Sequence, residues 1–552
     1  MKLILRVLSL LALLSVSLAG CSDANVPADQ PSENAVSIQV AANTGLTSWL
    51  TGSVKEFNTT RAKLADGRPV FVNLQSVEAG QAVIDMTGAN ADLPDLWIPD
   101  SPVWVDILAA RGKNDFQGDC ASVAQSPLVI AMWRPIAESL GWPGRALGWL
   151  DIGSLAADPS AWAYYSGGQF GKTFRLGHTH PGLSSTGTAT LLAVVQAALS
   201  KKQAVSTAEI QQPIVQASMG AFEGAVASFG NSTDSLGQAM RQRGINYLGA
   251  AVMYESTVIQ YGAGDPQIVP IYPFEGTFMA THPACIDKTK SDEQQQAARL
   301  FRTYLTSLPA QQAAVVSGLR AVNPQVTFPT EYKVLGVDLS QPKIVFDPPS
   351  ADTVFAAQKL WQSARKHVNL VMVVDTSGSM DGPKLESVRA AAVQFVNQMG
   401  DEDYLSMITF NNGVAVVQLE HAQVGSQRLG IIASVNKLRA LGSTPLYDSI
   451  GQAGALIARH LSAGTTNAMV VLTDGLDTNS QDFQANAHLA EVASANDTTI
   501  FTIAYGTDAD ELMLKNLATN ANGNFYLGSE ANIASIYQDM SAAFGGSAGI
   551  GR

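Results

Sequence analysis

Charged residues are scarce in this sequence, and those present are mostly acidic. Asp, Glu, Lys and Arg make up only 15% of the 552 residues, with 34 basic residues against 47 acidic ones. The net charge of −13 argues against a nucleic-acid partner, because such partners select basic surfaces. Hydrophobic residues reach 46%, which is too many for a disordered chain, and the length predicts about three or four domains.

Long apolar runs are also scarce, and the run at the start of the chain has the pattern of an export signal. Lys2 and Arg6 precede an apolar stretch, Val7–Leu18, which is too short to span a membrane as a mature helix. We expect a secretory signal over residues 1–21 and a flexible polar tether over residues 22–35. No later segment has the length of a membrane-spanning helix.

The end of this stretch, Leu18-Ala-Gly-Cys21, resembles a bacterial lipobox. The resemblance implies cleavage before Cys21 and acylation of that residue, and several acyl chains anchor a protein stably. We therefore expect a lipid-anchored protein of the bacterial cell envelope, at the outer face of the cytoplasmic membrane or in the periplasm or at the cell surface. The lipid anchor is then the expected membrane contact. The alternative is a secreted protein in which Cys21 is incidental.

Cysteine is rare as well, and only Cys120 and Cys285 remain after Cys21. An exported protein with an even number of remaining cysteines is expected to form a disulfide, because its compartment is oxidising. One Cys120–Cys285 bond is the prediction, and two buried thiols are the alternative.

Hydroxyl and carboxylate side chains follow two apolar strands in the last third of the chain. The run Leu370–Val374 reads as a buried strand and leads directly into an Asp-x-Ser-x-Ser motif. Open α/β sheets place their ligands at the carboxyl ends of strands, and Mg²⁺ prefers hard oxygen ligands. The candidate metal ligands are Asp375, Ser377, Ser379, Thr444 and Asp474.

These five positions resemble the metal-ion-dependent adhesion site of von Willebrand factor type A domains. The resemblance implies a doubly wound, mainly parallel sheet over residues 367–545, followed by a tail over 546–552. It also implies a bound Mg²⁺, or Mn²⁺ or Ca²⁺, and a protein partner whose acidic side chain completes the coordination. The alternative is a set of ordinary turn and cap residues. The neighbouring Asp381, Asp448 and Asp477 are interpreted as cap or loop residues.

Strand and helix patterns alternate through the first two-thirds of the chain, which predicts a mostly parallel sheet. Segments 126–132, 177–188, 252–256 and 272–285 resemble the bacterial extracellular solute-binding proteins of the two-lobe type. The resemblance covers residues 36–345, with a second lobe over about 126–275, and residues 346–366 follow as a linker and helix. The predicted fold class is thus α/β: a two-lobe periplasmic-binding-protein-like module, then a doubly wound type A domain.

The two-lobe resemblance implies a cleft for a small-molecule solute, lined by helix starts. Helix amino termini carry free N–H groups and favour anions. The candidate cleft residues are Thr44, Ser48, Ser101, Ser185, Thr186 and Thr188. The alternative for each is a simple capping role. His178-x-His180 lacks a third ligand in the sequence nearby, so we do not expect it to bind metal.

Catalytic signals are absent from the sequence motifs. The seven histidines lie outside the motif loops, and there is no glycine-rich phosphate loop ending in Lys-Ser/Thr. We therefore expect a non-enzymatic, membrane-anchored extracytoplasmic protein that binds a protein partner through the metal. The alternative is a solute receptor of a transport or sensing system, in which the carboxyl-terminal domain docks a membrane partner. An enzyme that uses the metal for hydrolysis is a third and weaker interpretation.

Overall fold

The structure is a computed structural model that describes residues 30–89, 91–411, 414–462, 464–481 and 498–546. The expected export signal and Cys21 lie outside the described residues. So does the stretch 485–495, whose sequence pattern predicts a helix. Three sheets of five, six and six strands organise the part of the chain described here. The first two sheets belong to an amino-terminal module, and the third belongs to a carboxyl-terminal module.

The first lobe of the amino-terminal module is built on the sheet β2-β1-β3-β11-β4. Its strands are β1 (Val36–Ala42), β2 (Val70–Ser76), β3 (Leu96–Ile98), β4 (Cys120–Ser122) and the late strand β11 (Pro283–Ile286). Its helices are α1 (Thr47–Thr60), α2 (Ala79–Met86), α3 (Val103–Ala110), α12 (Asp292–Leu305) and α13 (Leu308–Val316). Cys120 and Cys285 face each other across β4 and β11 and are bonded, which confirms the predicted disulfide.

The second lobe is built on the sheet β10-β5-β8-β6-β7, and β9 also pairs with β5. Its strands are β5 (Ser126–Trp133), β6 (Leu176–Thr179), β7 (Val226–Gly230), β8 (Ala250–Tyr254), β9 (Ile268–Ile271) and β10 (Met279–Ala280). Its helices are α4 (Arg134–Ser139), α5 (Trp149–Ala157), α6 (Pro159–Ser166), α7 (Ser185–Ala198), α8 (Thr207–Ile210), α9 (Pro213–Ala225), α10 (Thr233–Arg243) and α11 (Glu255–Tyr261). The chain crosses to the second lobe after β4, returns to the first sheet with β11, and crosses to the second lobe again after α13.

The junction between the modules is part of the second lobe's packing. The N–H of Phe346 donates to the carbonyl of Thr277 at 2.9 Å, so this stretch runs alongside the segment that leads into β10. Helix α14 (Ala351–Ala364) then packs against α7, α8 and α9. Trp361 is buried there, and its Nε1–H donates to Glu223 Oε2 at 3.1 Å. The predicted linker helix is therefore a core element of the second lobe.

The carboxyl-terminal module is a six-stranded sheet, β14-β13-β12-β15-β16-β17, parallel except for β14. Its strands are β12 (His367–Asp375), β13 (Tyr404–Asn411), β14 (Val414–Gln423), β15 (Thr465–Thr473), β16 (Thr499–Tyr505) and β17 (Phe525–Gly528). Its helices are α15 (Pro383–Gln398), α16 (Val424–Asn436), α17 (Leu446–Arg459), α18 (Glu511–Asn520) and α19 (Ile533–Ala543). Alternate residues of β12 enter the cores on the two faces, so the sheet is covered by helices on both sides.

The two modules contact each other beyond the linker. The Nε2 atom of His180 donates to the carbonyl of Gly546 at 2.6 Å, and Asn231 Nδ2 donates to Asp539 Oδ1 at 2.8 Å. The prediction of a loose tail from residue 546 is therefore wrong for Gly546, because a buried histidine binds it. None of the described helices combines the length and apolarity needed to cross a bilayer.

Candidate functional site

Asp375, the first residue of the Asp-x-Ser-x-Ser motif, ends strand β12 in the middle of the carboxyl-terminal sheet. Its Oδ1 accepts the backbone N–H of Ser377 at 2.8 Å, and its Oδ2 accepts the hydroxyl of Thr473 at 2.7 Å. The side chain is buried, and this burial raises the pKa of Asp375, with the nearby charge of Asp474 adding to the effect. Both carboxylate oxygens are therefore held in a fixed orientation.

The two motif serines connect Asp375 to Asp474, which follows the neighbouring strand β15. Ser377 Oγ lies 3.0 Å from Ser379 Oγ, and the hydroxyl of Ser379 donates to Asp474 Oδ1 at 2.7 Å. The other oxygen of Asp474 accepts from Lys384 Nζ at 2.6 Å. Four of the five predicted ligands thus form one connected cluster at the carboxyl edge of the sheet. Lys384, on the first turn of α15, is a member that the sequence motif did not reveal.

Thr444 lies in a loop that packs against the motif. The N–H of Gly378 donates to the carbonyl of Gly442 at 3.0 Å, and the N–H of Leu441 donates to the carbonyl of Thr376 at 2.8 Å. The N–H of Thr444 donates to Thr478 Oγ1 at 3.1 Å. The structure therefore brings the Thr444 loop to the cluster.

The three neighbouring acids behave differently from the motif acids. Asp477 accepts the N–H of Tyr447 at 3.0 Å, and Asp448 accepts the N–H of Gln481 at 3.1 Å. Both therefore organise the loops around α17. Asp381 is exposed beside the motif.

The donor set fits a hard divalent cation, because it consists of carboxylate and hydroxyl oxygens. Among the residues that the structure describes, no group of three or more His, Cys, Asp or Glu side chains lies together as a metal cage. A cation at this cluster would therefore depend on the hydroxyls of Ser377 and Ser379 as well as on two carboxylates. Two carboxylates balance the charge of one divalent ion.

A second polar cluster lies between the two lobes and centres on Asp100, which follows β3. Asp100 is buried, its Oδ1 accepts the hydroxyl of Ser185, and its Oδ2 accepts the hydroxyl of Tyr254 at 2.6 Å. Trp104 Nε1 in turn donates to Ser185 Oγ. Burial raises the pKa of Asp100, although these hydrogen bonds oppose the shift. Three elements from two lobes therefore converge on one carboxylate.

Glu78 extends this cluster on the first lobe. It precedes α2 and accepts the hydroxyl of Thr44. Complete burial, reinforced by the charge of Asp100, raises the pKa of Glu78 to about 8. Two acids thus lie close together at a buried position between the lobes.

The predicted cleft residues divide into two groups. Three of them line one cavity between the lobes: Ser101, Ser185 and Thr188. Thr186 is buried, and its Oγ1 lies 2.6 Å from Thr179 Oγ1. Ser48 is exposed on α1, and the hydroxyl of Thr44 donates to Glu78. The buried acids Glu78 and Asp100 were missed. A sequence signal existed for Asp100, because it follows an apolar strand as Asp375 does.

The two histidines of His178-x-His180 point to different partners. His178 Nε2 lies 3.1 Å from Glu223 Oε1, whereas His180 Nε2 binds Gly546. Both rings are buried. They are structural residues and do not share a metal site among the described residues.

Comparison with known proteins divides the chain as the structure does. The family model "Bacterial extracellular solute-binding protein" matches residues 38–320, which is slightly more than half of the chain. The family model "von Willebrand factor type A domain" matches residues 369–539. The second match covers the strands and loops that carry the metal-site motif.

Three relatives each cover a part of the chain. An uncharacterized protein of Synechocystis is 30% identical over 160 residues, which cover 29% of this chain and 37% of that protein. The periplasmic thiamin binding protein is 12% identical and has a TM-score of 0.44, covering 61% of this chain and 98% of that one. A von Willebrand factor type A protein from Catenulispora acidiphila is 22% identical, with a TM-score of 0.29, covering 32% of this chain and 42% of that one.

The chain spans little more than a third of the Synechocystis relative, so that similarity describes a domain. The family match over residues 38–320 agrees with the two sheets of the amino-terminal module, which hold the Asp100 cluster between them. The match over residues 369–539 agrees with the third sheet. The chain therefore belongs to the bacterial extracellular solute-binding protein family, and it carries a carboxyl-terminal von Willebrand factor type A domain.

Proposed function

We propose that this protein is a non-enzymatic, membrane-anchored binding protein of the bacterial cell envelope, which binds a protein partner through a divalent cation on its type A domain. The observation that supports this is the connected cluster of Asp375, Ser377, Ser379 and Asp474 at the carboxyl edge of the sheet. Parallel α/β sheets bind their ligands at this edge.

The residues around the cluster keep its oxygens in place for a cation. Thr473 and the N–H of Ser377 fix the Asp375 carboxylate, so little side-chain entropy remains to be lost on binding. Ser379 orients Asp474, and the other oxygen of that carboxylate pairs with Lys384, with which a cation would compete. When bound, Mg²⁺ supplies a positive centre to which an acidic side chain of the partner can coordinate.

Calorimetric titration of Mg²⁺ and Mn²⁺ into the full chain tests the metal site. We expect Asp375→Ala to weaken binding at least about tenfold, a cost of about 1.4 kcal/mol or more. Asp381→Ala is the matched control, because it removes an exposed carboxylate from the same loop and should leave the affinity unchanged. Equal metal affinity in wild type and Asp375→Ala would falsify the assignment.

Lipid attachment at Cys21 is tested in cells by labelling with an alkyne-tagged fatty acid. The wild-type chain should incorporate the label and sediment with membranes, whereas Cys21→Ser should do neither. A Cys21→Ser protein that still sediments with membranes would show that the anchor lies elsewhere.

A second candidate function is a solute receptor whose type A domain docks a membrane partner. It is favoured by a cavity lined by both lobes and by Val345, Phe346, Pro348 and Pro349 of the junction, which leads into α14 and the type A domain. A solute that raises the melting midpoint in the presence of a metal chelator would support this function, because ligand binding to the native state stabilises it.

A further inference from the structure

A cavity of about 200 Å³ lies between the two lobes and the junction segment, and its walls are largely aromatic and aliphatic. Four aromatic side chains contribute to it: Trp104, Tyr254, Phe278 and Phe346. They come from α3, from the end of β8, from the stretch before β10 and from the junction. Among the described residues that line the cavity there is no Lys, Arg, His, Asp or Glu. A ligand therefore meets π-faces and a few hydroxyls there.

Two hydroxyl groups of the wall, those of Ser185 and Tyr254, offer acceptors to the cavity. The hydroxyl hydrogens of Ser185 and Tyr254 are both donated to the buried carboxylate of Asp100 behind the wall. What these two oxygens can still offer to the cavity is lone pairs. Because both hydroxyl groups donate to Asp100, each can only accept a hydrogen bond from a ligand in the cavity.

The buried groups near this wall are acids and a neutral imidazole. Glu78 lies close enough for the charge of Asp100 to raise its pKa. The ring of His282 packs edge-on against Tyr254 with 6.1 Å between centroids, and burial lowers its pKa far below its usual value. Neither nitrogen of this ring has a hydrogen-bond partner among the described residues, although the ring is only 1% exposed. A buried polar group without a partner calls for an explanation, and this one lies beside the ring of Tyr254, which lines the cavity.

We propose that this cavity binds a small organic cation, an ammonium group carried on an apolar or aromatic body. The inference deepens the solute-receptor function above and rests on it. Aromatic faces attract a cation most strongly when water is excluded, and Asp100 adds a negative charge one hydrogen bond behind the wall. An anion, which the helix starts alone would favour, meets no basic side chain on this lining and has the carboxylate of Asp100 close behind it.

The test is thermal shift and tryptophan fluorescence of the full chain with choline, benzyltrimethylammonium, the neutral isostere 3,3-dimethylbutanol, and sulfate, all with chelator present. At least one of the two cations should raise the midpoint and bind at least about tenfold more tightly than the neutral isostere, as a desolvated cation–π contact predicts. Equal binding of the isostere, binding of sulfate alone, or no response to either cation overturns the proposal.

Two variants locate the site. Asp100→Asn should weaken cation binding at least about tenfold, since it removes the charge. Asp106→Asn alters an exposed acid on the helix that follows, α3, and should bind as wild type. If Asp100→Asn fails to fold, Ala189→Phe fills the cavity without touching the acid and should abolish binding. Unchanged cation binding in Ala189→Phe contradicts the assignment. Magnesium titration of the same proteins separates this inference from the metal-site proposal, because the two sites lie on different modules.

Discussion

At the scale of single residues, the cluster around Asp375 and Asp474 contains one side chain, Lys384, that is not part of the sequence motif. Lys384 donates to Asp474 Oδ2 and places a positive charge at the cluster's edge. The lysine is about one-third exposed, so its charge is partly screened by solvent. It therefore competes with a cation for Asp474 without displacing Asp375.

Replacing this lysine should strengthen metal binding. Lys384→Met removes a positive charge, which has the same sign as the metal ion, and keeps an aliphatic side chain. We therefore expect the Mg²⁺ affinity to rise by roughly three- to tenfold, or about 1 kcal/mol. Calorimetry at low and high salt measures this, and the gain should shrink as salt screens the lysine in the wild type. A loss of affinity instead would mean that Lys384 orients Asp474 for the metal.

The buried carboxyl of Glu78 makes a pH-dependent prediction. Its folded-state pKa of about 8 lies above its ordinary value of 4.5, so the native state holds this proton more tightly than the unfolded state does. The native state is therefore destabilised as pH rises from about 4.5 to about 8, where the buried group ionises.

Glu78→Gln removes this ionisation and keeps an acceptor for Thr44. Its free energy of unfolding should equal that of the wild type near about pH 5 and exceed it near about pH 9, by on the order of a few kcal/mol. Urea unfolding at both pH values is the measurement. A difference that stays constant with pH would show that Glu78 does not titrate in this range.

At the scale of elements, the start of α7 is defined by its close approach to the chain before it. A Cβ added to Gly187 would lie 2.1 Å from the carbonyl oxygen of Thr179 at the end of β6. Ser185 and Thr188, on the same turn, line the interlobe cavity. The position of this helix start therefore requires glycine, and it sets the cavity wall.

Gly187→Ala should displace the start of α7 and destabilise the protein by about 1–3 kcal/mol, the usual cost of overpacking. Gly220→Ala is the matched control, because Gly220 lies within α9 and a Cβ there meets nothing within 4 Å. The control should be stabilised by about 0.5–1 kcal/mol through helix propensity. Melting curves of both variants decide this, and a stable Gly187→Ala protein would contradict the observed packing.

At the scale of the whole molecule, His180 joins the second lobe to the end of the type A domain. Its Nε2 binds the carbonyl of Gly546, and its Nδ1 accepts the N–H of Gly182 at 3.1 Å. Only a neutral ring can donate from one nitrogen and accept at the other. Burial, together with the charge of Arg365, lowers the pKa of His180 to about 4.

Acid should therefore weaken the contact between the modules. The folded-state pKa of His180 lies below its ordinary value of 6.5, so its contribution to stability is complete above about pH 6.5 and is lost as pH falls towards about 4. His180→Gln should lack this part of the pH dependence. Melting midpoints between these pH values, with proteolysis after Gly546 as a second readout, test this. Identical pH profiles for the two proteins would exclude His180 as the titrating group.

Much of the architecture could be predicted from local patterns. These patterns depend on residues that are close together in the sequence: alternating strand and helix signals, turn residues and the Asp-x-Ser-x-Ser motif. Strands β12 and β15, for example, follow from their apolar runs. The disulfide was predicted from the number of cysteines together with the expectation of export, and the structure contains it. The two-module division was expected from the resemblance of the two parts of the chain to two different families, and the family matches agree with it.

Only the tertiary structure decided which side chains meet across long separations. Lys384 donates to Asp474, and Asp100 accepts from both Ser185 and Tyr254. The junction segment lines one side of the cavity. Periodicity determines which face of an element is buried, but it carries no information on the partner that covers that face. The sequence by itself thus determined the strand–helix pattern of both modules and placed the Asp-x-Ser-x-Ser motif at the end of a strand. The raised pKa values of Glu78 and Asp100, between the lobes, arise only on folding. Desolvation and the neighbouring charges that cause them exist only in the folded chain.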